Sequence, residues 1–584
     1  MASLMVIGAA SCTDDWDNHY GVATQGNGAS LWEVITANPE LSNFAEVVKA
    51  TGYDKSLASS QMFTVFAPTN SEFTTAERDA VIAKYQADLA KGLRGDKNSG
   101  IKEFVQNHIA LYNYSVAPET EDRSLRMMNG KYVHFTNHSF AGKEFLSSNT
   151  VTGNGVLYTI SDEAEYAFNL YEYIKVDESL DSVAKFLSHY DFENFQPSLS
   201  VPGEIVNGKQ HYLDSVTVTT NEILTRWIEA RLDSEDSLYY ALCPTNEAWK
   251  EQLERNQKLF TYASTVAERD SFEYIYPRVF ILAGAQFSKS RNPKLGTTEQ
   301  LDSVMSPLAV DYQYREIAFG SADKKYYQFD KPYAADGIFA NTTQRECSNG
   351  MLLKADEWKI DGSNTFIKDI LMEAEGRNTL DSLSGEDRKS KPDWIRRRVP
   401  VSNPLYKKVS GQEFYSLKTN TATSPAALFD FTDVLANQEY DMYVVSAPMY
   451  AADTLTTDTL PTMFSAKVYW REVDGTEKEL AINNTSASAG SVQIADGDIF
   501  LDNAYQNSTK MYLFKTAGKD VAEIKIGTFK FPTCSYNLPN PEVKLYLEVQ
   551  GRKPSTKEPN AGFEKTISQT LHIDAIKLVP RMSK

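Results

Sequence analysis

Three short motifs occur twice in this chain, in the same order, and this duplication narrows its fold more than any other feature. The run Phe63 Thr64 Val65 Phe66 Ala67 Pro68 Thr69 Asn70 returns as Tyr239 Tyr240 Ala241 Leu242 Cys243 Pro244 Thr245 Asn246. Each is followed by a second motif, Asn154 Gly155 Val156 Leu157 Tyr158 in one case and Asn349 Gly350 Met351 Leu352 Leu353 in the other. Ahead of each stands a matching pentapeptide, Leu31 Trp32 Glu33 Val34 Ile35 or Leu170 Tyr171 Glu172 Tyr173 Ile174. Such a chain holds one domain in two copies. At 584 residues it is also too long for one core, and a third region follows the second copy.

Local rules predict a mixed α/β unit. The apolar, β-branched and aromatic run reads as a buried strand, stopped at Pro68 because proline cannot donate a ladder hydrogen bond. Thr69 or Asn70 is predicted to cap a helix, with Thr69 and Glu72 as a capping box and Phe73, Ala76, Ala80, Ile82 and Leu89 as the apolar face. Asn154 Gly155 is predicted to mark a tight turn into the last strand.

Together with Asn107 His108 Ile109, these segments resemble the first, histidine-bearing and last motifs of the fasciclin domain. The first copy is assigned to residues 27–164 and the second, more divergent one to 165–362. In the second, Leu242 and Cys243 replace Phe66 and Ala67, and the histidine region is read as Arg278 Val279 Phe280 Ile281 Leu282, without a histidine. Its extra length from Pro197 to Glu235 is expected to form loops or a hairpin. The resemblance implies an α/β module of extracellular adhesion and matrix-associated proteins, without catalytic residues, in which His108 is a structural histidine.

Residues 363–584 change pattern. Alternating segments at Tyr440–Ser446, Phe464–Trp470, Met511–Phe514, Ala522–Phe531, Val543–Val549 and Leu571–Leu578, separated by polar turns, predict an antiparallel β-sandwich of jelly-roll type. Trp394 and Trp470 are candidates for a sugar-stacking platform, weighed against Trp470 lying in the core and Trp394 at a domain junction. Asp496, Asp498 and Asp502 read as an acidic turn, since their spacing matches no calcium loop.

The first 26 residues are read as export signal and tether. Leu4 to Ala10 is too short to span a bilayer, and Gly8 Ala9 Ala10 Ser11 Cys12 resembles a bacterial lipobox, which makes Cys12 the lipidated residue. No Lys or Arg precedes the run, a departure from that pattern. Thr13 Asp14 Asp15 Trp16 Asp17 is similar to the acidic signal that sends lipoproteins of some Gram-negative anaerobes to the outer leaflet. Asp-Ser/Thr-aliphatic triplets at Ser182, Ser215, Ser237, Ser303, Ser382, Thr454 and Thr459 resemble the O-glycosylation acceptor of the same group.

A net charge of −19 sets nucleic acid and anionic lipid aside as partners, because either needs a basic face. The one basic cluster, Arg396 Arg397 Arg398 between Pro392 and Pro400, reads as a solvated connector. Four cysteines show no zinc spacing, so neither metal nor cofactor is expected; Cys243 and Cys347 could pair if their strands are adjacent, but free buried thiols are preferred. No HExxH, GxSxG, P-loop or GxGxxG stretch occurs. The reading is a non-catalytic outer-membrane lipoprotein facing the exterior. It would be an accessory subunit of a glycan or peptide uptake complex, beside a transporter and substrate-binding lipoprotein of the SusC/SusD type. An adhesin and a surface glycan-degrading enzyme are the alternatives, the latter requiring a close acidic pair in a C-terminal groove.

Overall fold

The computed structural model describes residues 28–582 apart from 118–121, 207, 215–216, 289–302, 307–316, 320–321, 325–326, 361, 376–392, 419–425, 457–459, 461, 483–487, 490–491, 494–504, 508–509, 513, 517–518, 550–567 and 569. Cys12, Ser215, Ser382, Thr459, Asp496, Asp498 and Asp502 lie outside the described residues. Among those described, no helix is long and apolar enough to cross a membrane.

In the first unit the strands are β1 (Phe63–Pro68), β2 (Ile109–Leu111), β3 (Arg123–Arg126), β4 (Tyr132–Phe135), β5 (Ser139–Phe140), β6 (Lys143–Thr152) and β7 (Gly155–Ile160). They form one sheet in the order β2-β1-β7-β6-β5-β4-β3, with β1 and β7 parallel at its centre. Both central strands are buried along their whole length, which is why they read as unbroken apolar runs instead of alternating ones. Helices α1 (Leu31–Ala37), α2 (Ser42–Ala50), α3 (Asp54–Leu57) and α4 (Thr75–Ala90) accompany the sheet. The core between α1 to α3 and the sheet holds Leu31, Ile35, Phe44, Val48, Val65 and Leu157.

Helix α4 begins later than predicted. Thr74 is its N-cap and pairs with Glu77 in the capping box, so Thr69 and Glu72 do not form one. Phe73 is buried but lies ahead of the helix, Ala76 and Ala80 are exposed, and Val81, Ile82 and Tyr85 make the packing face. Thr69 instead shares a hydrogen bond with the Ser71 hydroxyl at 2.7 Å, and Asn70 serves another helix. Its Oδ1 accepts the Asn43 N–H at 3.0 Å and its Nδ2 donates to the Pro39 carbonyl at 2.9 Å, so it caps α2, whose own N-cap residue is Leu41.

The second unit repeats this framework with α5 (Leu170–Val176), α6 (Asp181–Ser188), α7 (Asn246–Gln257) and α8 (Arg269–Leu282). Its strands β8 (Tyr239–Pro244), β9 (Gln286–Ser288), β10 (Thr343–Cys347) and β11 (Gly350–Ala355) stand in the order β9-β8-β11-β10, β8 and β11 being parallel. Asn246 plays the part of Asn70: Oδ1 accepts the Ser182 N–H at 2.8 Å and Nδ2 donates to the Glu178 carbonyl at 2.8 Å, which caps α6. Thr245 is the N-cap residue of α7, immediately after Pro244. The extra length forms two hairpins, Asp191–Phe195 with Thr217–Asn221 and Val201–Val206 with Lys209–Asp214.

The third unit is a sandwich. Its strands are β12 (Ile370–Glu373), β13 (Asp393–Arg398), β14 (Glu413–Lys418), β15 (Ala426–Phe431), β16 (Glu439–Ser446), β17 (Met463–Arg471), β18 (Glu477–Ala481), β19 (Phe514–Lys515), β20 (Ala522–Lys530), β21 (Val543–Val549) and β22 (Thr570–Pro580). One antiparallel sheet runs β13-β14-β22-β16-β20, with β12 also on β22; the other runs β15-β21-β17-β18, with β19 on β17. Their facing sides share one core, with Tyr440, Val444, Ile573 and Leu578 opposite Phe429, Val468, Leu545 and Leu547. Arg396, Arg397 and Arg398 lie in edge strand β13 and not in a connector, and both Arg396 and Arg398 pair with Glu413. Trp394 lies in the same strand, outside any loop.

Candidate binding site

The duplicated Asn-Gly motifs build the same fastening twice. The two-residue turn between β6 and β7 is Gly153–Asn154, because Thr152 already pairs with Gly155; Gly155 is therefore the first strand residue and not part of the turn. The Asn154 Oδ1 accepts the Leu31 N–H at 2.7 Å, while Nδ2 donates to the Leu57 and Ser59 carbonyls at 2.8 and 2.6 Å. In the second unit the Asn349 Oδ1 accepts the Leu170 N–H at 2.8 Å, and Nδ2 donates to the Leu232 and Ser234 carbonyls at 2.9 Å each. One amide thus ties the first helix to the segment entering the central strand. The glycines have no alternative: a Cβ on Gly155 would lie 1.9 Å from the Phe63 carbonyl oxygen, and one on Gly350 1.8 Å from that of Tyr239.

His108 is fully buried. Its Nε2 accepts the Ala164 N–H at 2.9 Å, which requires that nitrogen to be bare, so the proton sits on Nδ1 and is donated to the Phe104 carbonyl at 2.8 Å. Burial holds its pKa down at about 4, and the ring is neutral. Asn107 donates to the Ala164 carbonyl at 2.9 Å, so the Asn-His pair holds both the N–H and the C=O of one residue in the chain leaving the first unit. In the second unit the backbone bond from Phe66 N–H to the His108 carbonyl is matched by one from Leu242 N–H to Ala285. The counterpart of His108 is therefore Ala285, not a residue of Arg278–Leu282, which ends helix α8.

Beyond Ala164 the two units meet across a buried charge network. Lys131, 4% exposed, donates to Glu172 and Glu235 at 2.6 Å each and to the Ser348 hydroxyl at 3.2 Å. Lys102 also pairs with Glu172, whose pKa the two lysines pull down to about 2 against the opposing effect of burial. The inserted hairpins reach the first unit as well, with Lys97 on Glu193 and the Thr217 N–H on Asp96. The second unit meets the sandwich through rings: Phe260, Tyr276 and Phe280 pack around Tyr536, Phe366 packs on Phe260 and Phe280, and Tyr262 donates to the Tyr536 carbonyl at 3.0 Å.

The candidate sugar-stacking tryptophan Trp470 belongs to the sandwich core, 3% exposed, and its indole N–H donates to Glu472. Alternation along β17 turns Trp470 inward and its neighbour Tyr469 outward. On that outer face two rows cross three strands, Leu428, Tyr546 and Lys467 in one, Asp430, Lys544 and Tyr469 in the next. Two tyrosines thus stand diagonally adjacent with amine and carboxylate groups beside them, a surface suited to stacking and hydrogen bonding. Nothing in the sequence separated Tyr469 from Trp470 except strand parity, which needs the register.

A second cluster lies between β12 and β14. Asp574, 1% exposed, accepts the Ser410 N–H and faces Glu373 and Glu375, each with one buried oxygen that has no hydrogen-bond partner. Burial, reinforced by neighbouring carboxylates, raises both Asp574 and Glu375 to about 7. Asp574 is buried in this cluster, whereas Glu373 and Glu375 are part-buried. Among the described residues no cluster of His, Cys, Asp and Glu fits a metal ion. Cys243 and Cys347 are free and buried, in strands separated by β11, and burial pushes their thiols up to about 12 and about 11. Of the described glycosylation candidates, Ser182 and Ser237 are half-buried, Thr454 is exposed and Ser303 lies in a strand.

No curated protein matches the chain. Among solved structures it is similar to a FAS1 domain pair from the insect cell adhesion molecule Fasciclin I, at 10% identity over 56% of this chain and 99% of that one, with a TM-score of 0.19. It is also similar to the CBM22-1 and GH10 modules of a Clostridium thermocellum endo-1,4-beta-D-xylanase (11% identity, 32% of this chain, 25% of that one, TM-score 0.18). A third likeness is to that xylanase's C-terminal family 22 carbohydrate-binding module (14% identity, 33% and 90%, TM-score 0.17). The model of the fasciclin domain family matches residues 39–163. The chain thus carries a fasciclin domain, and β1, the Asn107-His108 pair and the Asn154-Gly155 fastening are its framework.

Proposed function

We propose that this protein is a non-catalytic lipoprotein of the outer-membrane surface, anchored through Cys12, that binds an extracellular glycan or peptide as an accessory subunit of a nutrient-uptake complex. The observation that carries the reading is the outer face of the smaller sandwich sheet, where Tyr469 and Tyr546 lie side by side among Lys467, Lys544 and Asp430. Aromatic rings flanked by hydrogen-bonding groups suit a sugar polymer better than a charged one, and the net charge of −19 points the same way. The charge network joins the two fasciclin-like units and the aromatic seam joins the second of them to the sandwich that carries this face. The two units' own surfaces supply the protein contacts, to a transporter and a substrate-capturing lipoprotein of the SusC/SusD type.

Purification of the native protein in mild detergent tests the assembly, and affinity electrophoresis in polysaccharide gels tests the face. Co-purification of an outer-membrane transporter in fixed ratio, with polysaccharide retardation that Tyr469→Ala and Tyr546→Ala abolish, is the expected outcome. The fasciclin domain itself favours a second reading, a cell-surface adhesin. Isolation as a lone monomer that binds host matrix or cells, with no polysaccharide retardation, would establish that one instead.

A further inference from the structure

The outward side of helix α8 sets one arginine among aromatic rings. Arg278 is half-buried there, its guanidinium lying over the Tyr274 ring at 4.0 Å. One of its nitrogens, Nη1, donates to the Tyr274 carbonyl at 2.7 Å. Among the described residues no carboxylate pairs with it. Arg231 and Arg471, by comparison, are held by Asp233 and Glu542. Those partners raise the two side chains' pKa, whereas burial lowers that of Arg278.

Around Arg278 the neighbours are rings. Tyr190 lies within electrostatic reach of it, His189 packs on Tyr190 and Tyr274 at 4.9 and 6.0 Å, and Phe186 supports Tyr274 from below at 6.3 Å. Tyr274 is 39% exposed, and two residues beyond Tyr190 the ring of Phe192 is 67% exposed. Arginine and tyrosine clustered at a partly desolvated spot are the side chains that dominate protein interfaces, and a planar guanidinium with nitrogens to spare fits a carboxylate edge-on. A polyanion is disfavoured, because it needs many cations and this face offers one on a strongly acidic protein.

We propose that the Arg278, Tyr274, Tyr190 and His189 face of the second unit docks a protein partner that presents a single carboxylate side chain flanked by an apolar residue. The carboxylate takes the open edge of the guanidinium, and the apolar neighbour packs on the exposed rings. The partner thereby supplies the counter-charge that this chain withholds. The assignment rests on the reading that the fasciclin units make the protein contacts.

Random heptapeptides displayed on phage and selected against the full chain test it. Selected sequences should carry Asp or Glu beside an aromatic or aliphatic residue, and should bind Arg278→Gln more weakly by about tenfold or more. Arg278→Glu should lose these peptides and recover binding when their acid is exchanged for Lys, a swap that misfolding could not produce. Selection without acidic residues, or equal binding to Arg278→Gln, would overturn the proposal. Binding of a glucuronate oligosaccharide that depends on Arg278 would reassign the face to a glycan and overturn it too. Peptides that bind at Arg278 while no transporter co-purifies would support this face and remove the uptake reading.

Discussion

Replacing Asn154 by Ala removes three hydrogen bonds at once, and the structure says what each is worth. The Leu31 N–H and the Leu57 carbonyl belong to fully buried residues, so each loses its partner without gaining water; a buried orphan of this kind costs about 1 to 3 kcal/mol. Ser59 is half-buried and its carbonyl recovers solvent, so the third bond adds about 1 kcal/mol or less. The sum is about 4 kcal/mol, a large part of the roughly 5 to 15 kcal/mol that holds a typical domain. For a unit of this size that corresponds to a fall of roughly 10 °C in the midpoint of the first unit's thermal transition. Calorimetry of the full chain measures it, with Asn349→Ala as the counterpart that should weaken the second unit by a similar amount. Asn154→Asp sharpens the test: the carboxylate still accepts from Leu31 N–H but sets negative charge against two carbonyl oxygens, so it should rescue nothing. A midpoint within about 2 °C of the parent for the Ala variant, or parental stability for Asp, would refute the account of this amide as a three-way fastening.

Three other predictions follow from the same reasoning. Gly350→Ala should prevent folding of the second unit, since its Cβ would lie 1.8 Å from the Tyr239 oxygen, whereas Gly130→Ala, with nothing within 4 Å and only a positive φ of 84°, should cost about 1 kcal/mol; soluble yield and melting midpoints compare them. Raised to about 7 in the fold, Asp574 and Glu375 bind more protons there than in the unfolded chain. Their contribution is therefore full below the ordinary carboxylate range and is lost as pH rises through about 7; Asp574→Asn should flatten the pH profile of the sandwich's unfolding midpoint, and an unchanged profile would contradict the assignment. Lys131→Met leaves Glu235 buried without its cation and should weaken the contact between the first two units by about 3 kcal/mol, read as faster proteolysis around Ala164 and a larger radius in X-ray scattering.

Much of the framework is local chemistry and was legible residue by residue. A strand that ends in proline, an asparagine-glycine pair ahead of a second apolar run, and the recurrence of both in order are properties of a linear text, so the two copies and their central strands could be placed from them. Five strands of the sandwich were visible for the same reason, since runs of seven to ten residues between polar turns carry their own signal; the segment Met511–Phe514 falls instead across two short strands, Lys510–Tyr512 and Phe514–Lys515. Strands β12, β13, β14, β15 and β18 were missed, being short or flanked by charge.

Whatever depends on a distant partner was not legible. Thr69 and Thr74 are equally good caps by sequence, each with Glu three residues on; Thr74 is the one used, while Asn70 next to Thr69 caps the start of α2 across 27 residues of chain. Trp470 and Tyr469 differ only in which way the strand turns them, and that was fixed by the register that sets Tyr469 against Lys544 and Lys467 against Tyr546 on β21. Sequence by itself determined that this chain has a duplicated α/β framework, a fasciclin-like motif set and a β-rich third region, because those rest on short-range sterics and hydrogen bonding. The tertiary structure alone decided which residues face solvent, that Ala285 stands where His108 does, and that Lys131 is buried against Glu172 and Glu235, because burial, register and charge pairing are made by residues far apart in the chain.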